Sequence, residues 1–325
     1  MVADVLEITG RIDLVHGNDS RDGVAEHRAD LAFLRVGVTP RATSAGALTR
    51  RTTLTAIAAG LLAACGSPVP GPAEGTPRPV RHRYGSGPQQ IGDLYLPRRG
   101  RPRGTVVVIH GGFWQSAYAL DLGAATSADL AQRGWAAWNI EYRRTGDGGT
   151  WPNTLVDVAS AVDHLARLDG VPTTGVITLG HSAGGQLAAW AASRNAASPG
   201  GAPRVRVAAT VAPAAVLALA AAARDGLGGT AVPGLVGGMP SRLPGRYAEA
   251  DPLERLPLGV PIRCVHGTDD STVPISQSTT YVEAARRAGD DAELVRVPGD
   301  HFALIDPSTP AWRRTVAVLG QLGGR

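Results

Sequence analysis

Residues 176–192 read Val-Ile-Thr-Leu-Gly-His-Ser-Ala-Gly-Gly-Gln-Leu-Ala-Ala-Trp-Ala-Ala. The apolar start predicts a buried strand, and the alanine-rich end predicts a helix. Between them lies a Gly-x-Ser-x-Gly pentapeptide centred on Ser182. A sharp turn between strand and helix pushes the serine hydroxyl clear of the sheet, and the flanking glycines leave room for the neighbouring elements. The stretch therefore predicts a nucleophilic serine on an open α/β sheet.

A glycine pair follows an earlier apolar run. Residues 105–114 read Thr-Val-Val-Val-Ile-His-Gly-Gly-Phe-Trp. Acyl transfer through a tetrahedral intermediate needs N–H donors aimed at the carbonyl oxygen, and glycines let the backbone come that close. We expect these donors to belong to Gly112 or Phe113, together with Ala183 directly after the serine. The alternative is a plain glycine turn whose aromatic neighbours fill the core.

Candidates for an acid and a base follow the last two predicted strands. The apolar runs that end at residues 265 and 297 are each followed by polar residues. An open α/β sheet places its site beyond the carboxyl ends of its strands. Of the eight histidines, only His301 stands in this position downstream of a credible acid. Proximity alone leaves Asp269 and Asp270 both open as its partner.

Together these segments resemble the α/β-hydrolase family over residues 81–325. The resemblance is to the esterase branch with a His-Gly-Gly oxyanion loop, which includes carboxylesterases, feruloyl-esterase-like domains and arylformamidases. Residues 261–274 resemble the family's His-Gly-x-x-Asp-x-x-Val-Pro segment, and that spacing selects Asp270 as the acid. The resemblance implies that Ser182 attacks the substrate, His301 shuttles the proton and Asp270 orients the imidazole.

The predicted fold is the α/β-hydrolase fold, a mostly parallel, doubly wound eight-stranded sheet flanked by helices. About 245 residues suit a single domain with one core. The predicted strands are 81–84, 91–96, 105–110, 135–140, 176–179, 205–211, 262–265 and 293–297. The predicted helices are 117–133, 153–168, 185–197, 214–224, 276–288 and 310–320. The Gly/Pro-rich stretch 226–246 is predicted to be a cap over the pocket or a plain surface loop.

Aromatic residues near the predicted oxyanion loop are candidates for the pocket wall. His110, Trp114 and Tyr142 are assigned to the substrate pocket, and with Phe113 they favour short acyl groups or aryl rings. The alternative is that some of these rings belong to the core.

Residues 48–65 have the features of a bacterial export signal. A basic pair at 50–51 precedes a short apolar stretch that ends in Leu-Ala-Ala-Cys. The stretch is too short to span a membrane, and its end resembles the lipobox, in which Cys65 receives lipid. The basic pair also resembles a twin-arginine signal. The Gly/Pro-rich residues 66–80 would form the tether, and the alternative is a short buried helix with an ordinary cysteine.

Residues 1–47 precede this signal and carry no sustained hydrophobic period. We expect them to be a non-native extension from a misassigned start codon, or a disordered one. The protein is accordingly expected to be exported, and either lipid-anchored at the outer face of the cytoplasmic membrane or secreted.

The composition argues against several kinds of partner and cofactor. All 32 basic residues are arginine, against 28 acidic residues, and they are scattered rather than clustered on one face with aromatics. This argues against a nucleic-acid partner. With Cys65 assigned to lipid and Cys264 in a predicted strand, no disulfide is expected. The sequence shows no metal-ligand pattern and no phosphate-binding loop, so neither metal nor cofactor is expected.

The sequence therefore predicts a serine hydrolase that cleaves carboxylic esters through an acyl-enzyme. An arylformamidase that cleaves an N-formyl amide is the nearest alternative enzyme. A binding protein without catalytic activity on the same fold is the alternative from another class. The natural substrate and the oligomeric state stay open.

Overall fold

The computed structural model describes residues 77–323, which form a central sheet flanked by helices. The strands are β1 (Val80–Arg83), β2 (Ile91–Tyr95), β3 (Thr105–Ile109), β4 (Ala136–Ile140), β5 (Val176–Gly180), β6 (Val207–Pro213), β7 (Ile262–Gly267) and β8 (Ala292–Val297). The helices are α1 (Ala124–Gln132), α2 (Asn153–His164), α3 (Ala183–Ala192), α4 (Leu219–Arg224), α5 (Ala231–Val236), α6 (Pro244–Ala250), α7 (Ser276–Arg287) and α8 (Pro310–Leu322). Short 3-10 turns cover Leu120–Gly123, Leu165–Arg167 and Pro252–Arg255.

The strand order is β1-β2-β4-β3-β5-β6-β7-β8. β1 pairs antiparallel with β2, and β2 antiparallel with β4. The remaining neighbours are parallel. The predicted fold class is therefore confirmed. Because β3 to β8 all run the same way, the loops that follow β3, β5, β7 and β8 meet at one edge of the sheet.

Both faces of the sheet are buried, as the continuous apolar strands predict. In β3, Val107 and Ile109 pack into the core layer that contains α2 and α3. Val106 and Val108 pack into the layer that contains α1 and α8. Their alternation follows the two-residue period of a strand and fixes the register of β3 in the middle of the sheet.

The stretch 226–246, predicted to be a cap or a plain surface loop, is not a plain loop, because it contains α5 and the start of α6. The apolar residues of α5 are buried, including Leu235. The backbone N–H of Trp151 donates to the carbonyl of Leu235 at 2.8 Å. Gln186 of α3 donates to the carbonyl of Ala250 at 2.8 Å. These contacts join the segment from α4 to α6, here called the helical cap, to the central domain.

Asp251 links the helical cap to the following 3-10 turn. Its carboxylate accepts hydrogen bonds from the backbone N–H groups of Ala220 at 2.9 Å and Leu253 at 3.1 Å. The aspartate caps the turn through Leu253 and reaches the first turn of α4 as well.

The free energy of unfolding should depend on pH through Asp251. Burial raises the pKa of this carboxyl to about 6, so the folded state holds the proton more tightly than the unfolded chain. The stabilisation is complete below the unfolded pKa and is lost as the pH rises through the folded pKa. Relative to Asp251→Ser, the native protein should gain about 1 kcal/mol between pH 7 and pH 5.

Urea unfolding of both proteins at the two pH values measures this gain. The exposed Asp121 offers a matched control, because Asp121→Ser removes a carboxyl without removing a buried one. If the native protein gained the same free energy of unfolding relative to Asp121→Ser, the pH dependence could not be assigned to Asp251.

Candidate active site

Ser182 occupies the sharp turn between β5 and α3. Its backbone has φ 55° and ψ −121°, a left-handed conformation that is costly for a residue with a side chain. The Ser182 N–H donates to the carbonyl of Pro213 at 2.9 Å, and the Gly185 N–H donates to the carbonyl of Ser182 at 2.9 Å. A Cβ at Gly184 would overlap the carbonyls of Ile109 and His110. The flanking glycine is therefore needed because the turn lies against the end of β3.

His301 and Asp270 lie together beyond β8 and β7. The imidazole Nδ1 of His301 is 2.8 Å from Oδ2 of Asp270. The other carboxylate oxygen of Asp270 accepts the N–H groups of Thr272 at 2.8 Å and Val273 at 2.9 Å. The Asp269 carboxylate instead accepts the N–H of Gly299. Of the two adjacent carboxylates, it is Asp270 that contacts the histidine.

The ionisation of Asp270 follows from these contacts. Burial opposes the charge, but the hydrogen bonds from His301 and Val273 outweigh it and hold the pKa of this carboxyl below its usual value. An ionised Asp270 can only accept hydrogen bonds, so Nδ1 of His301 carries the proton. The Nε2 atom of His301 is then left unprotonated in the neutral ring, which is the form a general base needs.

His181, the residue before the serine, binds the loop that carries His301. Its Nε2 lies 2.9 Å from the carbonyl oxygen of His301, and the two ring centroids are 4.4 Å apart. A carbonyl only accepts, so His181 donates through Nε2. Burial, followed by the nearby His301, lowers the pKa of His181 to about 3. It is therefore neutral at ordinary pH and adds no positive charge beside His301.

The glycine pair after β3 lies directly against the serine turn. A Cβ at Gly111 would lie 3.1 Å from the Cβ of Ser182. The next three residues, Gly112, Phe113 and Trp114, all have positive φ, at 102°, 51° and 54°. Ala183 is the first residue of α3, where helix N–H groups have no acceptor within the helix. The predicted oxyanion donors thus belong to two segments that meet beside Ser182.

The assignment of His110, Trp114 and Tyr142 to the wall of the substrate pocket has to be corrected. They are 2%, 0% and 0% exposed, and their polar atoms are bonded inside the protein. Trp114 donates to the side chain of Gln186 at 3.0 Å, and Tyr142 donates to the carbonyl of His110 at 2.8 Å. These rings fill the core under the glycine turn, which is the alternative that the sequence left open.

Glu141 connects the same residues to the rest of the domain. Its Oε1 is 2.9 Å from Nε2 of His110. Its Oε2 accepts the N–H of Leu120 at 2.9 Å and the guanidinium of Arg144 at 3.0 Å. The ring of His110 also stacks on Tyr142 at 4.4 Å. This buried network holds the backbone of the glycine turn in place, and we attribute to it a positioning role.

The exposed aromatic side chains beside the site are different residues. Tyr118 is 42% exposed and Phe302 is 61% exposed. Tyr118 lies against Gly112, and a Cβ at Gly228 of the helical cap would overlap the ring of Phe113. Phe302 lies edge-on to His301, with ring centroids 5.2 Å apart. No sequence motif marks Tyr118 as a residue of the site. Phe302 could have been found from the sequence, because it directly follows His301.

Neither a metal site nor a membrane-spanning helix is found in residues 77–323. In that range, no group of three or more histidine, cysteine or acidic side chains is arranged to hold a metal ion. No helix in it has the length and apolar character needed to cross a membrane. Cys264 lies buried in β7 as a free thiol, and burial raises its pKa to about 12.

The strained serine after β5, the aspartate after β7 and the histidine after β8 define an α/β-hydrolase. Solved structures agree on the fold. A truncated carbohydrate esterase from gut microbiota superposes with a TM-score of 0.68 and 22% identity, covering 78% of this chain and 100% of the other. An esterase from Thermogutta terrifontis has a TM-score of 0.60 and 24% identity, covering 75% and 91%.

Sequence comparisons identify the family. The BD-FAE family model matches residues 92–284. The chain therefore belongs to the BD-FAE family, a family of feruloyl-esterase-like α/β-hydrolase esterases. Esterase LipC of Mycobacterium tuberculosis is 25% identical over 69% of this chain. A rice protein named as a probable isoprenylcysteine alpha-carbonyl methylesterase is 27% identical over 66% of this chain. The chain spans 59% and 56% of the lengths of these two curated relatives.

Proposed function

We propose that this protein is a serine esterase that cleaves carboxylic esters through an acyl-enzyme. The observation that carries the proposal is the Asp270–His301 contact at 2.8 Å, beside a serine held in a strained turn. The contact between Nδ1 of His301 and an ionised carboxylate supports the role of base for this histidine. Membership in a family of esterases supports the same reaction.

The proposed reaction has two halves. The Oγ of Ser182 attacks the ester carbonyl carbon while Nε2 of His301 takes the hydroxyl proton. The negative oxygen of the tetrahedral intermediate accepts N–H groups from Ala183 and from Gly112 or Phe113. The intermediate collapses, and the departing alcohol takes the proton from His301. Water then attacks the acyl-enzyme in the same way and releases the acid.

A fluorophosphonate probe tests the proposal directly. Its phosphorus atom is attacked by an activated serine, so peptide mass spectrometry should find the added mass on Ser182. Absence of labelling would favour the binding protein without catalytic activity. An arylformamidase would also be labelled, so N-formylkynurenine is assayed beside p-nitrophenyl acetate to separate amide from ester cleavage.

We infer that the pocket accepts short acyl groups or aryl rings. Phe113, Tyr118 and Phe302 surround the glycine turn and the histidine. The helical cap packs on Phe113 at Gly228, which limits the length of chain that fits between them. The half-buried Phe113 was suggested by the sequence, and the exposed Tyr118 and Phe302 take the place of the buried aromatics.

A chain-length series of p-nitrophenyl esters should therefore favour acetate and butyrate. We expect kcat/KM for esters beyond about ten carbons to be lower by about tenfold or more, because the longer chains do not fit the enclosed site. Faster turnover of the long-chain esters would instead indicate a lipase with an open apolar trough.

We also propose that the protein is exported and anchored by lipid on Cys65. This residue lies outside the described residues, and the support comes from the Leu-Ala-Ala-Cys sequence and the basic pair before it. The multiple acyl chains of a lipoprotein hold a protein firmly on a membrane, whereas one chain holds it only marginally.

When expressed in a bacterial host that processes lipoproteins, the protein should partition into detergent. Cys65→Ser should leave it unprocessed, while Cys264→Ala, which removes the buried cysteine, should partition like the native protein. Mass spectrometry of the mature N-terminus reads the outcome. Any first residue other than a lipidated Cys65 would refute the anchor.

A further inference from the structure

Exposed arginines lie at the edge of the sheet opposite the candidate active site. The arginines are scattered over most of the chain, but residues 98–103 read Arg-Arg-Gly-Arg-Pro-Arg and form a local cluster that contains no acid. They follow β2, whose last residue Tyr95 pairs with Ala137 near the start of β4. The candidate site follows the carboxyl ends of β5, β7 and β8. The arginines and the site are therefore at opposite ends of the parallel strands.

Three of these side chains form what we call the arginine patch: Arg98, Arg99 and Arg101. All three are exposed. The turn between them is set by Gly100, which has φ 75°. Arg103 plays another part, because its guanidinium stacks over the ring of Trp135 at 4.3 Å. Arg103 thus fixes the end of the loop, and the patch itself faces solvent.

The carboxylates on the neighbouring elements have their own partners. Asp93 of β2 binds Arg81 at 2.7 Å. Asp129 of α1 binds Arg133 at 2.6 Å. These pairs leave the positive charge of the patch without neutralisation from the acids beside it.

The patch also lies where the described chain begins. Pro77 lines the same open groove as Arg98 and Arg99. Only eleven residues separate Pro77 from Cys65 in the sequence, and such a segment reaches at most about 40 Å when fully extended. A lipid on Cys65 would therefore keep this edge of the domain close to the membrane.

We propose that the arginine patch binds the anionic headgroups of the membrane that holds the lipid anchor. The proposal rests on the anchor and extends it, because it gives the domain an orientation with the active site facing away from the lipid. Arginines near an anionic leaflet add to the attraction of an acyl chain and act within about one Debye length of the surface. A tether of at most about 40 Å allows the patch to come within that distance of the surface.

Vesicle sedimentation of the chain from residue 66 onward, which carries neither the signal stretch nor the lipid, tests the patch on its own. The variant R98Q/R99Q/R101Q is compared with R224Q/R242Q/R314Q, which removes the same charge from exposed arginines elsewhere. On vesicles of equal parts phosphatidylcholine and phosphatidylglycerol, the patch variant should bind at least about tenfold more weakly than the parent. The control should stay within about twofold, and raised salt should remove the difference.

Several outcomes would overturn the proposal. The first is an equal loss of vesicle binding in both triple variants. The second is parent binding to pure phosphatidylcholine that is as tight as its binding to the anionic vesicles. The third is parent binding to soluble polyphosphate that is as tight as its binding to those vesicles. Vesicle-bound parent should also hydrolyse a water-soluble ester at the rate of free parent, and a loss on vesicles would contradict the orientation. A parent inactive in free solution would count against the esterase proposal alone.

Discussion

Ser182→Ala is expected to lower kcat/KM for p-nitrophenyl acetate by about four to six orders of magnitude. Without the hydroxyl there is no acyl-enzyme, and only the oxyanion donors and substrate binding remain. The melting temperature should change little, since alanine meets the same backbone strain at φ 55° as serine does. Steady-state kinetics and thermal unfolding of the same preparation provide both values.

The exposed Ser271, in the loop after Asp270, is the matched control. Ser271→Ala removes the same hydroxyl group from the neighbourhood of the acid and should retain turnover within about twofold. Retention of more than about one hundredth of native activity by Ser182→Ala would exclude the serine as nucleophile.

Asp270→Asn should lower kcat by about three to four orders of magnitude. The amide can donate to Nδ1 of His301 and thereby stabilise the wrong tautomer, in which Nε2 carries the proton. Asp269→Asn is the matched substitution one residue earlier, and it changes a carboxylate whose bond goes to the N–H of Gly299. We expect its kcat to fall by a few-fold at most.

The two asparagine variants are compared under identical conditions, with circular dichroism as the check on folding. Equal losses of kcat in the two variants would mean that the loop after β7 tolerates neither substitution. Asp270 could then no longer be assigned as the acid. A larger loss in Asp269→Asn would exchange the roles of the two carboxylates.

The positions of the strands along the chain could be predicted from the sequence because buried parallel strands are short, continuous apolar runs. The run at 105–109 needs no tertiary information, since all five residues are enclosed on both faces. The glycines around Ser182 were equally readable, because a Cβ at Gly180 or Gly184 has no space. The crowding at Gly180 comes from the nearby Gly184, whereas the crowding at Gly184 comes from Ile109 and His110 at the end of β3.

Contacts across the sheet could not be predicted from local pattern. His181 occupies a variable position of the pentapeptide, and its partner is a carbonyl 120 residues away. Trp114 and Tyr142 were assigned to the pocket, because a ring near a catalytic loop suits either a pocket or a core. Only the packing against Gln186 and His110 decides between them. A cap at 226–246 was one of the two predictions for that stretch, but its helices were not foreseen, since short helices depend on burial more than on propensity.

The 120-residue separation between His181 and His301 has a consequence for biosynthesis. The elements that carry the serine emerge from the ribosome well before β7 and β8, which position the acid and the base. Under the proposed mechanism, a nascent chain that has completed α3 holds the nucleophile without the group that activates it. Hydrolytic capacity therefore arises late in translation, when the far edge of the sheet has joined the rest, and the unfinished protein cannot attack esters.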